Sequence, residues 1–104
     1  MWFSVSLLFK SIHEPATHKD MIWEERIVLI ESSNAQAAQL KAEELGHSEV
    51  VSYRNVKNEK VTWKFNSVLN ICEIDFERLT HGSELFSRFL KDSEVRSLKE
   101  SFED

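Results

Sequence analysis

One helical segment, with alternating apolar and polar runs on both sides, limits what this chain can fold into more than any other feature. "SSNAQAAQLKAEELG", residues 32–46, carries its own start and stop signals. Ser33 is placed to cap the helix, Gln36 completes a capping box three residues on, and Gly46 supplies the stop. The stripe Ala37, Ala38, Leu40 and Ala42 is small and apolar. A helix with such a face can lie close against a sheet.

The flanking runs supply the sheet. In the opening stretch Phe3, Val5, Leu7 and Phe9 fall on one face, with Trp2, Ser4, Ser6 and Lys10 on the other, which predicts a strand over about 2–12. "HEPATHKD", residues 13–20, contains the only proline and reads as a loop into a second strand over about 21–31. The far end of that strand is apolar on both faces (Ile27 and Leu29, Val28 and Ile30), the pattern of a central strand covered on both sides. After the helix come strands at about 49–55 and 61–75, with "VKNEK" turning between them as a hairpin. Val61, Trp63, Phe65, Leu69 and Ile71 are expected on one face of the long strand, with Ser67 the exception. A fifth strand is expected at about 84–90, after Gly82. "DSEVRSLKESF" then spaces Val95, Leu98 and Phe102 as a short amphipathic closing helix. The expected order is β-β-α-β-β-β-α: a single α+β domain over 1–104, with a mainly antiparallel five-stranded sheet and one crossover helix.

Composition narrows the class of function. With 104 residues, 41% hydrophobic, three Trp and seven Phe, the chain has apolar bulk for one core and is not disordered by composition. A formal charge of -5 disfavours nucleic-acid binding through a basic face and welcomes a basic protein partner. The excess is uneven: residues 1–52 hold 8 acidic against 4 basic side chains, residues 53–104 hold 10 against 9. A lone cysteine, Cys72, permits no internal disulfide, and no run reaches the roughly 18 apolar residues of a membrane span. A cytoplasmic location is the expectation.

Few constellations suit catalysis. Glu24 and Glu25 are adjacent on a strand, so they point to opposite faces and cannot form an acid pair. Glu24 shares its face with Arg26, while Glu25 shares the face of Trp23, Ile27 and Leu29, where a carboxylate needs a cation or several donors. His13, Glu14 and His18 do not make a zincin: the histidines are five apart with Pro15 between them. Cys72 has no basic neighbour in sequence and reads as a structural thiol on the face of Val68 and Ile74. Two glycines cannot build a phosphate-cradling loop. No metal or cofactor is expected. Trp2, Trp23, Tyr53 and Trp63 read first as core and, where exposed, as anchors of a protein interface.

The Trp-Phe opening strand, "WEERIVLI", the Ala-rich helix, "VSYRN", "VTWKF" and "HGSELFSRF" together resemble a bacterial family of domains of unknown function, the one numbered 4288. The likeness covers about residues 2–90 and leaves the tail 91–104 outside. Its most specific blocks, "WEER" and "GSELFSR", give Trp23, Glu24, Glu25, Gly82, Glu84, Ser87 and Arg88 as the matching positions. The resemblance implies no activity. It sharpens one expectation, that Glu25 is answered by Arg88 of the fifth strand in a two-pronged guanidinium–carboxylate pair.

Two functions are weighed. The first is a non-catalytic protein-binding module, in specific form an immunity-type inhibitor that covers the site of a basic, nuclease-like toxin. Its candidate residues are Trp23, Glu24, Glu25, Tyr53, Trp63, Glu84 and Arg88. The second is a small enzyme or ligand-binding protein with a pocket built from Glu24 or Glu25, Tyr53, Glu84 and Arg88. A homo-oligomer joined through a sheet face or an edge strand is a third, blander possibility.

Overall fold

Alternation in the first strand decides the layering. In the computed structural model, which describes residues 1–15 and 22–100, β1 spans Trp2–Glu14 and buries Phe3, Val5, Leu7 and Phe9 to 3% exposure or less. Strands β2 (Trp23–Glu31), β3 (Val51–Arg54) and β4 (Lys60–Ile74) complete a sheet of order β2-β1-β4-β3. Each neighbouring pair is antiparallel. The long strands β1 and β4 sit in the middle, and β2 and β3 form the edges.

Helix α1 (Ala35–Ser48) links β2 at one edge to β3 at the other, so it must cross the whole sheet. Its 14 residues reach about 21 Å at 1.5 Å per residue. Three interstrand steps of about 4.8 Å need only some 14 Å, so one helix suffices. The cap is Asn34 rather than Ser33: its side chain accepts the Ala37 N–H at 2.8 Å. The buried face is Ala38, Ala42 and Gly46, with Leu45 half-buried, while Leu40 is 68% exposed. Gly46 therefore does not stop the helix. It lies inside it, against Phe65, where an added Cβ would come within 2.3 Å of the ring.

β4 departs from simple alternation. Two register shifts against β1, between Ser6 and Leu7 and between Leu8 and Phe9, leave Leu69 and Asn66 without partners. Core-facing residues of β4 are consequently Phe65, Val68 and Ile71, spaced by three, and Leu69 is turned out at 48% exposure. This corrects the expected placement of Leu69 and explains Ser67, which pairs with Leu8 on the other face. The β3–β4 loop is organised by Asn55, whose Oδ1 accepts the N–H groups of Lys57 and Glu59, both at 3.0 Å.

The expected fifth strand is absent from the sheet, which has four strands. After β4 a short 3-10 turn (Phe76–Arg78) leads to a reversal at 80–83, where the Ser83 N–H donates to the Thr80 carbonyl at 3.0 Å. Gly82 has φ 91 there, a conformation that only glycine adopts without strain. Residues 83–91 then pass, without regular secondary structure, over the sheet face opposite α1. Side chains of the sheet hold this strap where a backbone ladder would otherwise be: Ser4 Oγ donates to the Leu85 carbonyl at 2.5 Å, and Asn70 Nδ2 to the Ser87 carbonyl at 3.1 Å. Ser4 and Ser6, expected on a polar face, are thereby 2% and 0% exposed. The closing helix α2 (Asp92–Lys99) buries no residue, and Glu94 accepts the Lys91 N–H at its start. His18, Phe102 and the expected start of the second strand at residue 21 lie outside the described residues.

Candidate functional site

The second strand separates its charges as side-chain alternation requires. Register pairs Glu24 with Phe9 and Arg26 with Leu7, which puts both on the helix face. Glu25 opposes Leu8 on the strap face, beside Trp23, Ile27 and Leu29.

On the helix face Arg26 is the hub. Its Nε donates to Glu24 Oε1 at 2.8 Å, and its Nη1 binds Glu49 at the end of α1. The guanidinium lies 4.1 Å from the centroid of the Phe9 ring, a cation–π contact on the core's edge. Arg26 thus ties the edge strand to the helix terminus.

On the strap face Arg88 Nη1 reaches Glu25 Oε2 at 3.2 Å, and Ser6 Oγ donates to the same oxygen at 2.5 Å. The pairing is single-pronged, not bidentate, and Arg88 belongs to the strap and not to a strand. With both side chains about one-third exposed, the pair acts as a clasp of modest strength. Nearby, Lys10 Nζ sits 5.0 Å from the Trp23 ring centroid.

Tyr53 and Trp63 form a separate group. They lie on β3 and β4, where Trp63 Nε1 donates to the Tyr53 hydroxyl at 3.1 Å, with Tyr53 49% exposed. Register places them on the helix face, at the edge opposite β2. Glu84 is exposed and forms no ion pair with a described residue. Glu24, Glu25, Tyr53, Glu84 and Arg88 therefore do not converge on one pocket: two faces and two edges of the sheet divide them. Cys72 is half-buried under the strap, its Sγ 3.7 Å from the Ser87 carbonyl, and the bulges put Val68 on the other face. Among the described residues, no three His, Cys, Asp or Glu side chains are placed to hold a metal ion.

An open concavity lies elsewhere, at the end of the sheet where β1 begins and β2 and β4 finish. It is a cleft of about 550 Å³ lined by Met1, Trp2, Glu31, Glu73, Ile74, Asp75, Phe76 and Glu77. Trp2 and Phe76 stack against each other in its lining, ring centroids 5.2 Å apart at 29°. All the charged side chains lining it are carboxylates. Asp75 meets Arg78 at 3.5 Å, a strongly exposed contact, and Glu31, Glu73 and Glu77 form no ion pair with a described residue. No single stretch of sequence points to this site, because Trp2, Glu31 and Phe76 come from three separate segments. The available signal was local: "CEIDFE", residues 72–77, alternates carboxylates with Ile74 and Phe76 just where the long strand ends.

This architecture is an α+β protein with one antiparallel sheet, a helix on one face and an irregular strap on the other. The chain belongs to the family described as Domain of unknown function (DUF4288), whose model matches residues 2–87. That span takes in β1 through most of the strap and stops one residue short of Arg88. No curated protein and no solved structure matches the chain. Among the described residues no helix is long and apolar enough to cross a membrane.

Proposed function

We propose that this protein is a non-catalytic binding module for a basic protein partner, and in specific form an immunity-type inhibitor that covers the site of a nuclease-like toxin. One observation carries the reading: a 550 Å³ cleft that combines a stacked Trp2–Phe76 pair with four carboxylates. A lysine or arginine of a partner entering it would meet aromatic faces for cation–π contact and carboxylates for charge-assisted hydrogen bonds. Aromatic residues are the usual anchors of protein interfaces, and unpaired surface carboxylates speed encounter with a basic partner. The net charge of -5 acts in the same direction.

The experiment is co-expression with the product of the adjacent gene, followed by affinity capture and a titration at two salt concentrations. Retention of a basic protein, with affinity that falls at higher salt and on Glu73→Gln/Glu77→Gln substitution, supports the reading. A partner bound with the same affinity by that double variant, or no partner retained, overturns it.

A further inference from the structure

The second strand carries a contradiction between its sequence and its place. Val28 and Ile30 on one face, with Ile27 and Leu29 on the other, make the pattern of a strand enclosed on both sides. The fold nevertheless leaves β2 at the edge of the sheet, with Ile27 53% and Leu29 51% exposed. The opposite edge, β3, is blunted by being only four residues long. β2 runs for nine residues in unbroken register, without proline or lysine. Three of its four charges are quenched within the chain, Glu24 with Arg26, Arg26 with Glu49, and Glu25 with Arg88, and the fourth, Glu31, stands at the strand's last residue, so they guard the middle of the edge poorly.

We propose that β2 pairs antiparallel with β2 of a second copy about a two-fold axis through Ile27, joining two four-stranded sheets into one. The backbone directions allow it. The Ser11 N–H donates to the Ile22 carbonyl and the Ser32 N–H to the Met1 carbonyl, each at 2.9 Å. These bonds fix the phase of the β1–β2 ladder: the even-numbered residues of β2 bond to β1, and the N–H and C=O groups of Trp23, Glu25, Ile27, Leu29 and Glu31 point outward.

Register and charge then select one alignment. With Ile27 on the axis, Trp23 opposes Glu31, Glu25 opposes Leu29 and Ile27 opposes itself, so all five outward residues pair, with about ten hydrogen bonds at two per pair. No carboxylate faces a carboxylate directly. Moving the axis to Glu25 sets Glu25 against itself, moving it to Arg26 sets Arg26 against itself, and moving it to Val28 sets Glu25 against Glu31. Each of those alignments also shortens the ladder. Like charges directly opposite each other destabilise a strand pair. In the favoured alignment Ile27 and Leu29 of both copies form one apolar row on the strap face. This inference stands on the strand edge and is independent of the acidic cleft.

The test measures mass by light scattering for the full chain and for Ile27→Lys, at high micromolar concentration. A mass twice the 12.2 kDa of one chain, reduced to a single chain by Ile27→Lys with circular dichroism unchanged, is the expected result. A second measurement reads the register directly in a Cys72→Ser background. Ile27→Cys is expected to oxidise to a covalent dimer, since hydrogen-bonded partners lie about 5.5 Å apart at Cα, within disulfide reach. Leu29→Cys, opposed by Glu25, is expected not to cross-link. A monomeric native chain, a dimer that survives Ile27→Lys, or cross-linking of Leu29→Cys as readily as Ile27→Cys overturns the proposal. In the first case the edge is open to a strand of a different protein.

Discussion

Arg88 Nη1 stands 3.2 Å from Glu25 Oε2 although 63 residues separate them in the chain, and the buried hydroxyl of Ser6 donates to the same oxygen. The contact fastens the strap to the edge strand. Because both side chains are about one-third exposed, a double-mutant cycle of Glu25→Gln and Arg88→Leu is expected to give a coupling of about 0.5–1 kcal/mol, read from urea unfolding. A coupling of zero would mean that the strap is held by its carbonyl contacts alone.

Ser4 makes the complementary contact, donating to the Leu85 carbonyl from a position only 2% exposed. Ser4→Ala is expected to lower stability by about 0.5–1.5 kcal/mol. Loss of this anchor should also raise the rate of tryptic cleavage after Arg88, while sites within α1 keep their protection. Equal acceleration at both places would show global loosening and not release of the strap.

The two glycines should respond to alanine for different reasons. At Gly46 the new Cβ collides with the Phe65 ring, and overpacking of roughly 1–3 kcal/mol outweighs a helix-propensity gain of about 1. At Gly82 nothing lies within 4 Å of the new Cβ, so its cost of about 1–2 kcal/mol comes from the left-handed backbone. Thermal denaturation checks both, and compensating small substitutions at Phe65 should rescue only Gly46→Ala.

Phe9 is fully buried, with the Phe65 ring edge-on at 5.7 Å and Arg26 against its face. Phe9→Ala is expected to cost about 3–5 kcal/mol, a large part of the stability of a domain this size. A loss below about 1 kcal/mol, measured by chemical denaturation, would contradict its place in the core.

Neutralising the cleft should separate binding from folding. Glu73→Gln with Glu77→Gln removes two carboxylates that form no ion pair with a described residue, so unfolding free energy should change by less than about 0.5 kcal/mol. A marked fall in melting temperature would mean that these side chains support the fold instead of waiting for a partner.

Local periodicity accounts for the features that were legible from residue order. Side chains alternate along any strand, so "WEER" separates Glu24 from Glu25, and the opening run aligns Phe3, Val5, Leu7 and Phe9. The helix between Asn34 and Ser48, the hairpin at 55–60 and the carboxylate seeking a cation were legible for the same reason.

Where those pieces went depends on long-range contacts. "GSELFSRF" alternates as a strand does, but its carbonyls are taken by Ser4 and Asn70 side chains on a sheet face, and no sequence window contains both partners. Bulges in β4 exchanged Leu69 for Val68 in the core, because register is set jointly by two strands. The acidic cleft likewise exists only once Trp2, Glu31 and Phe76 have been brought together. Strand β2 joins both lessons: its residues have the pattern of a central position, and the topology, with no further strand beside it among the described residues, leaves it at the edge.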